Sequence, residues 1–201
     1  MSKKVYWVRQ SVDDEDERPD GVTYYDPSGW FKTGEGYKEF QANACVSAGD
    51  AGYPAERWFV PDLYASRKGK TAIEDWDYYM CSGTFGAFSQ RAMDVLTPYF
   101  GDLFLSLPAR LEGHPYYCLH CRTRIDCLNR AASEITYFEH DPRQVMMISK
   151  YVFRKEQLAD RMIFAIPEMV FHLFCSDWIP EVAGKAGLRG FDFQLVDEGA
   201  S

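Results

Sequence analysis

The sequence predicts an α+β fold: one domain with a mixed or mostly antiparallel sheet, few helices and an aromatic-rich, irregular N-terminal half. Three observations carry that expectation. Short alternating runs recur through the second half of the chain, and only two stretches there have helical spacing. In the first half the aromatic residues are scattered among Pro and Gly without a period. No repeat and no clear linker divides the 201 residues, a length that suits one sizeable core. The expected layout is a single domain over 1–201, aromatic-rich to about residue 85 and regular from about 86 to 197.

In chain order, residues 4–10 alternate as a strand, with Val5, Trp7 and Arg9 on one face and Tyr6 and Val8 on the other. The run Asp13, Asp14, Glu15, Asp16 and Glu17 follows. Five adjacent acids cannot pack together, and Pro19 and Gly21 break any regular element, so this reads as an exposed loop. From Thr23 to about Ala72 the pattern is irregular, and only 57–60 resembles a short strand.

The second half is more orderly. Phe88, Ala92, Val95, Leu96 and Tyr99 fall at helical spacing, with Ser89 as N-cap and Gly101 as stop. Residues 103–111 alternate as a strand, which Pro108 places at an edge or a bulge. Further strands are expected at 116–121, 135–138, 145–152, 163–166 and 169–175, with Pro167-Glu168 as a tight connection. Ser176 is the expected cap of a last helix reaching Ala186. Gly187 ends it, and Phe191, Phe193 and Leu195 alternate in a closing strand.

Composition narrows the function classes. Hydrophobic residues make up 46% and charged residues 26%, a globular balance, and the 16% aromatic share supplies large buried areas with some left for a binding face. No apolar run approaches the roughly eighteen residues of a membrane span. The stretch Val5-Tyr6-Trp7-Val8 is too short for a signal-peptide core, so a cytoplasmic location is expected. A net charge of −8 favours basic partners and disfavours direct nucleic-acid binding. The six cysteines Cys45, Cys81, Cys118, Cys121, Cys127 and Cys175 then read as reduced thiols.

Four groups of residues invite chemistry. His114, Cys118, His120, Cys121 and Cys127 are zinc-ligand types, and Cys118-x-x-Cys121 has a spacing used for zinc. On a strand, though, side chains three apart point to opposite faces. His172, Cys175 and Asp177 contain the parts of a thiol nucleophile, yet in the strand expected there His172 and Cys175 also point apart. Glu74, Asp75 and Asp77 are interleaved with Trp76, Tyr78 and Tyr79, the mixture an interface for a basic partner would present. The acidic run at 13–17 is the fourth. No metal, no cofactor and no catalytic residue is assigned; the partner-binding candidates are Asp13, Asp14, Glu15, Asp16, Glu17, Trp76, Tyr78 and Tyr79.

Three stretches resemble a known family. They are Phe88-Ser89-Gln90-Arg91-Ala92-Met93-Asp94-Val95-Leu96, the segment 116–129 ending Ile125-Asp126-Cys127-Leu128-Asn129, and the C-terminal part. The last holds Phe171-His172-Leu173-Phe174-Cys175-Ser176-Asp177-Trp178-Ile179-Pro180 and then Gly184-Lys185-Ala186-Gly187-Leu188-Arg189-Gly190-Phe191-Asp192-Phe193. From about Phe88 onward, a little over half its length, the chain resembles bacterial immunity family eleven, also called domain-of-unknown-function family 1629. Its motifs are structural rather than catalytic.

The resemblance implies a non-enzymatic protein that neutralises a co-produced, secreted polymorphic toxin by stoichiometric binding and occlusion. It carries over no active-site residue. Two other readings stay open at this point: an enzyme that reverses the toxin's action, and a zinc-stabilised interaction module. The toxin's identity and the oligomeric state are not legible.

Overall fold

The computed structural model describes residues 4–11, 22–25, 60, 62–65, 76–80, 86–169 and 172–199. The acidic run 13–17, Glu74, Asp75, Cys45, Cys81 and most of the expected strand at 57–60 lie outside the described residues.

The architecture is α+β with mostly antiparallel pairing. Strand β1 (Val5–Gln10) lies between β11 (Leu173–Ser176) and β12 (Phe191–Asp197), and β10 (Ile163–Phe164) completes a four-stranded antiparallel sheet. The chain's first strand is thus held by two of its last. A second sheet runs β2 (Val22–Tyr25), β3 (Asp62–Ala65), β6 (Phe104–Leu111), β7 (His114–Cys121), β5 (Ala87–Ser89) and β4 (Tyr78–Tyr79). Only β3 and β6 pair in parallel there, at Asp62–Arg110 and Leu63–Leu111. A separate hairpin joins β8 (Glu134–Phe138) to β9 (Asp141–Lys150). Helices α1 (Gln90–Phe100) and α2 (Trp178–Lys185) contact each other, and each also contacts strands.

Local chemistry accounts for the elements. Ser89 caps α1, its hydroxyl accepting from the Ala92 N–H at 3.0 Å, and Gly101 ends the helix at φ 59°. Ala92, Met93, Leu96 and Phe100 form the buried face. At the end of α2, Leu188 N–H reaches Ala183 O and Gly187 N–H reaches Gly184 O, both at 3.0 Å. That pair of bonds is the Schellman arrangement, and it needs the left-handed backbone that Gly187 adopts at φ 64°.

Several expectations need correcting. Val5 and Val8 are both buried although they sit on opposite faces of a regular strand. The register against β12 shifts between Val5 and Tyr6, and this bulge turns both side chains inward. Strands β2 and β3 occupy a stretch that reads as irregular; each has four residues, and their partners are remote in sequence. Ser176 belongs to β11, where its hydroxyl meets Met162 Sδ, and Asp177 occupies the N-cap position without a side-chain bond. Pro108 lies in β6 opposite Tyr117, in a strand flanked by β3 and β7. β3 joins only at Arg110 and Leu111, so at Pro108 itself β6 is an edge among the described strands, as expected, and only its last residues are interior.

Two apolar clusters hold the layers. The larger joins β1, α1, β10, β11 and the segment around Phe153, with Phe164 and Phe174 fully buried and stacked at 5.7 Å. Burying one such ring stabilises by about 2–3 kcal/mol. The smaller cluster holds Leu63, Trp76, Tyr79, Ala87, Ala109, Leu111, Tyr116 and Cys118.

Candidate functional site

Each sequence candidate has a definite place where it falls within the described residues. Trp76, Tyr78 and Tyr79 are only 4%, 2% and 0% exposed. Tyr78 stacks on Phe191 at 4.9 Å, and Tyr79 meets Tyr116 edge-on at 5.9 Å. These rings belong to the core, so their reading as surface anchors is corrected: burial leaves a partner almost nothing of them to touch.

Asp77 is equally internal. Its carboxylate accepts from Ser89 Oγ at 2.7 Å, Arg91 Nε at 3.0 Å, Arg91 Nη2, and the Arg189 N–H at 2.8 Å. Burial alone would raise its pKa, but these donors outweigh that and hold it below the usual aspartate range. Asp77 is a structural tie between β4, the start of α1 and the turn before β12.

The cysteine and histidine candidates do not converge. Along β7, Cys118 faces the smaller cluster and Cys121 the larger, on opposite sides of the sheet, while His114 is exposed at the strand's start. Burial raises the Cys121 thiol and pushes Cys127 up to about 12, so both favour the protonated form. Cys175 is fully buried and likewise raised. His172 stacks on Trp7 with ring centroids 4.1 Å apart.

Among the described residues, the large apolar side chains left exposed are Val60, Met80, Trp178, Leu195 and three on the hairpin β8–β9. Its base is fixed: Leu128 bridges Phe153, Arg154 N–H reaches Cys127 O at 2.7 Å, and Asn129 N–H reaches Val152 O at 2.8 Å. Asp197 accepts from the Phe153 N–H and from Lys155 Nζ, both at 2.8 Å, tying that base to β12. Ile148 is buried beneath the hairpin and faces Ile135. Beyond it, Tyr137, Met146 and Met147 are 40%, 48% and 51% exposed. Three register irregularities interrupt the pairing, so Met146 and Met147, adjacent in sequence, both reach solvent. Methionine is a flexible, polarisable contact residue.

Two clefts flank this hairpin. One, of about 510 Å³, lies between Tyr137, Arg143 and Val145 of the hairpin and Arg130, Pro167 and Glu168. The other, about 420 Å³, is bounded by Met146, Met147, Trp7, Met169, His172 and Leu195. Pro167 and Glu168 line the first, and Met169 and His172 the second. In sequence, Val145-Met146-Met147-Ile148 reads only as a continuous apolar strand. Its departure from alternation is the signal that marks the exposed pair.

The model of Imm11, an immunity protein family, fits residues 99–198. That segment contains the hairpin, Arg130, Glu168 and His172. No curated protein matches the chain.

Proposed function

Through residues 99–198 the chain belongs to the Imm11 immunity protein family, and on that footing we propose that it neutralises a cognate bacterial toxin by direct binding. One copy occludes one toxin molecule in the cytoplasm, without turnover. The family match carries this reading. A rigidly based hairpin offering Tyr137, Met146 and Met147 suits it, because binding energy concentrates in a few apolar and aromatic residues. No described helix is long and apolar enough to cross a membrane.

The net charge of −8 adds a kinetic element. Asp13, Asp14, Glu15, Asp16 and Glu17 would draw in a basic toxin face by long-range attraction, which speeds encounter more than it deepens affinity. Isothermal titration against the purified product of a toxin-like reading frame found beside its gene tests the proposal. Saturation at one equivalent is expected, and absence of heat and of co-elution overturns it.

A further inference from the structure

We infer that the outer edge of β12 pairs with the same edge of a second copy of this chain. An antiparallel ladder centred on Phe193 joins the two four-stranded sheets into one. The inference stands apart from the neutralising role and leaves its ratio of one toxin per chain untouched.

β12 ends its sheet, with β1 on one side and no described strand on the other. The Ser11 N–H bonds Gly190 O at 2.8 Å, which fixes the alternation along the β1–β12 ladder. Asp192 and Gln194 turn their N–H and C=O groups toward β1, while Phe191, Phe193 and Leu195 turn theirs outward. None of these outward groups has a hydrogen-bond partner among the described residues. The other ends of the two larger sheets are cut short: β10 and β4 have two residues each and β2 has four. β12 has seven, without proline or lysine. A long edge lacking those blunting devices is a template for another strand.

Self-complementarity identifies that strand as the same one from a second copy. With Phe193 opposite the partner's Phe193, Phe191 falls opposite the partner's Leu195 and Asp192 opposite the partner's Gln194. The outward residues of one copy then meet only those of the other, so every free N–H finds a C=O. Moving the centre to Gln194 would set Phe191 against the partner's Asp197. That end of β12 is already occupied, because the Phe153 N–H and Lys155 Nζ both reach the Asp197 carboxylate at 2.8 Å.

The side chains suit the same register. Phe191 and Phe193 stack at 5.7 Å and pack against the larger cluster. Leu195, on the same face of the strand, is 36% exposed, and the pairing lays the partner's Phe191 beside it. On the opposite face Arg9 gives Nη1 to Gln194 Oε1 at 2.7 Å, and its Nε stands 3.8 Å from Asp192 Oδ2. Gln194 is thus held by its amide oxygen, and its NH2 donates to the partner's Asp192. Two arginines face two aspartates across the pair, and no carboxylate lies opposite another. The contact is therefore complementary in charge although the whole chain carries −8.

Two experiments decide it. Sedimentation equilibrium of the whole chain, over a hundredfold range of concentration reaching near-millimolar, should show the mass rising from one chain to two. Leu195→Lys, on the exposed edge, should weaken the dimer at least tenfold with the fold checked by thermal melts, although it lowers the net charge. In the second experiment, Asp192→Cys and Gln194→Cys proteins are oxidised mildly, separately and mixed, with the unmodified chain and its six cysteines as the blank. The mixture should give covalent dimer in at least fivefold greater yield than either variant alone, because only there do introduced thiols stand opposite each other. Equal yields, or none above the blank, overturn the register, and a dimer that Leu195→Lys leaves intact overturns the location. A one-chain mass at every concentration overturns the inference outright. If Leu195→Lys then weakens toxin binding, the edge belongs to a strand of the toxin.

Discussion

Arg91 and Asp77 are joined through both ends of the guanidinium: Nε meets Oδ1 at 3.0 Å, Nη2 meets Oδ2, and the same Nη2 reaches Gly187 O at 3.0 Å. One side chain at the start of α1 thereby ties the β4 segment to the end of α2. Arg91 is 54% exposed and Asp77 only 5% by side chain, so the two ends of the bond are unequal. Removing Arg91 lets water replace part of it, and Arg91→Ala should cost about 1–2 kcal/mol. Asp77→Ala strands the Arg189 N–H and the Ser89 hydroxyl as well, and should cost about 2–4 kcal/mol. Urea unfolding midpoints at neutral pH measure both.

The pH dependence of stability has two windows with one sign. Asp77 is depressed in the fold, so its contribution is present above the unfolded aspartate range near 3.9 and is lost as pH falls through its lower folded value. His172 acts at milder acidity. Burial, helped by the Arg9 charge, lowers its pKa from 6.5 to about 4. Between those values the unfolded chain takes up a proton that the folded chain does not, so stability declines as pH drops from about 6.5 to about 4, by roughly 2–3 kcal/mol. His172→Phe keeps a ring against Trp7 and should flatten that window. An unchanged slope in the variant would show that another group titrates there.

Glycine positions separate backbone strain from steric contact. A Cβ at Gly190 would lie 2.5 Å from Tyr78 O and 3.0 Å from Trp76 Cβ, at φ 85°; at Gly187 it meets nothing within 4 Å, at φ 64°. Gly187→Ala should therefore cost about 1 kcal/mol from the left-handed backbone alone. Gly190→Ala adds a clash with the β4 segment and should cost at least about twice that. Thermal melts of the two variants should rank in that order.

Much of the regular half was legible because its signals are local. The Ser89 cap, the Gly101 stop, the Gly187 turn and the strands from residue 104 onward follow from period, caps and turn residues within a few positions. What escaped depends on distant partners. Asp77 reads as one acid among aromatics until Arg91 and Arg189, 14 and 112 residues away, are brought to it. Trp76, Tyr78 and Tyr79 show the same ambiguity, since an aromatic beside an acid looks alike whether it faces a partner or a core. β3 is invisible locally because its parallel neighbour β6 begins some forty residues later. Glu168 was legible only as part of a tight connection, and its burial against Arg130 shows only in three dimensions.

The acidic run at 13–17 makes a kinetic prediction. Replacing Asp13, Asp14, Glu15, Asp16 and Glu17 with lysine should slow association with the toxin about tenfold or more at low salt and flatten its ionic-strength dependence, while the dissociation rate changes little. Stopped-flow association at several salt concentrations measures it. An unaltered rate and salt slope would take these residues out of the encounter.

The most direct measurement is a protection titration, in which a fixed amount of active toxin is mixed with increasing amounts of this chain and residual toxin activity is read. Occlusion predicts a linear fall that ends at one equivalent. Complete protection by a tenth of an equivalent would mean that the chain turns over a substrate, and would contradict the account.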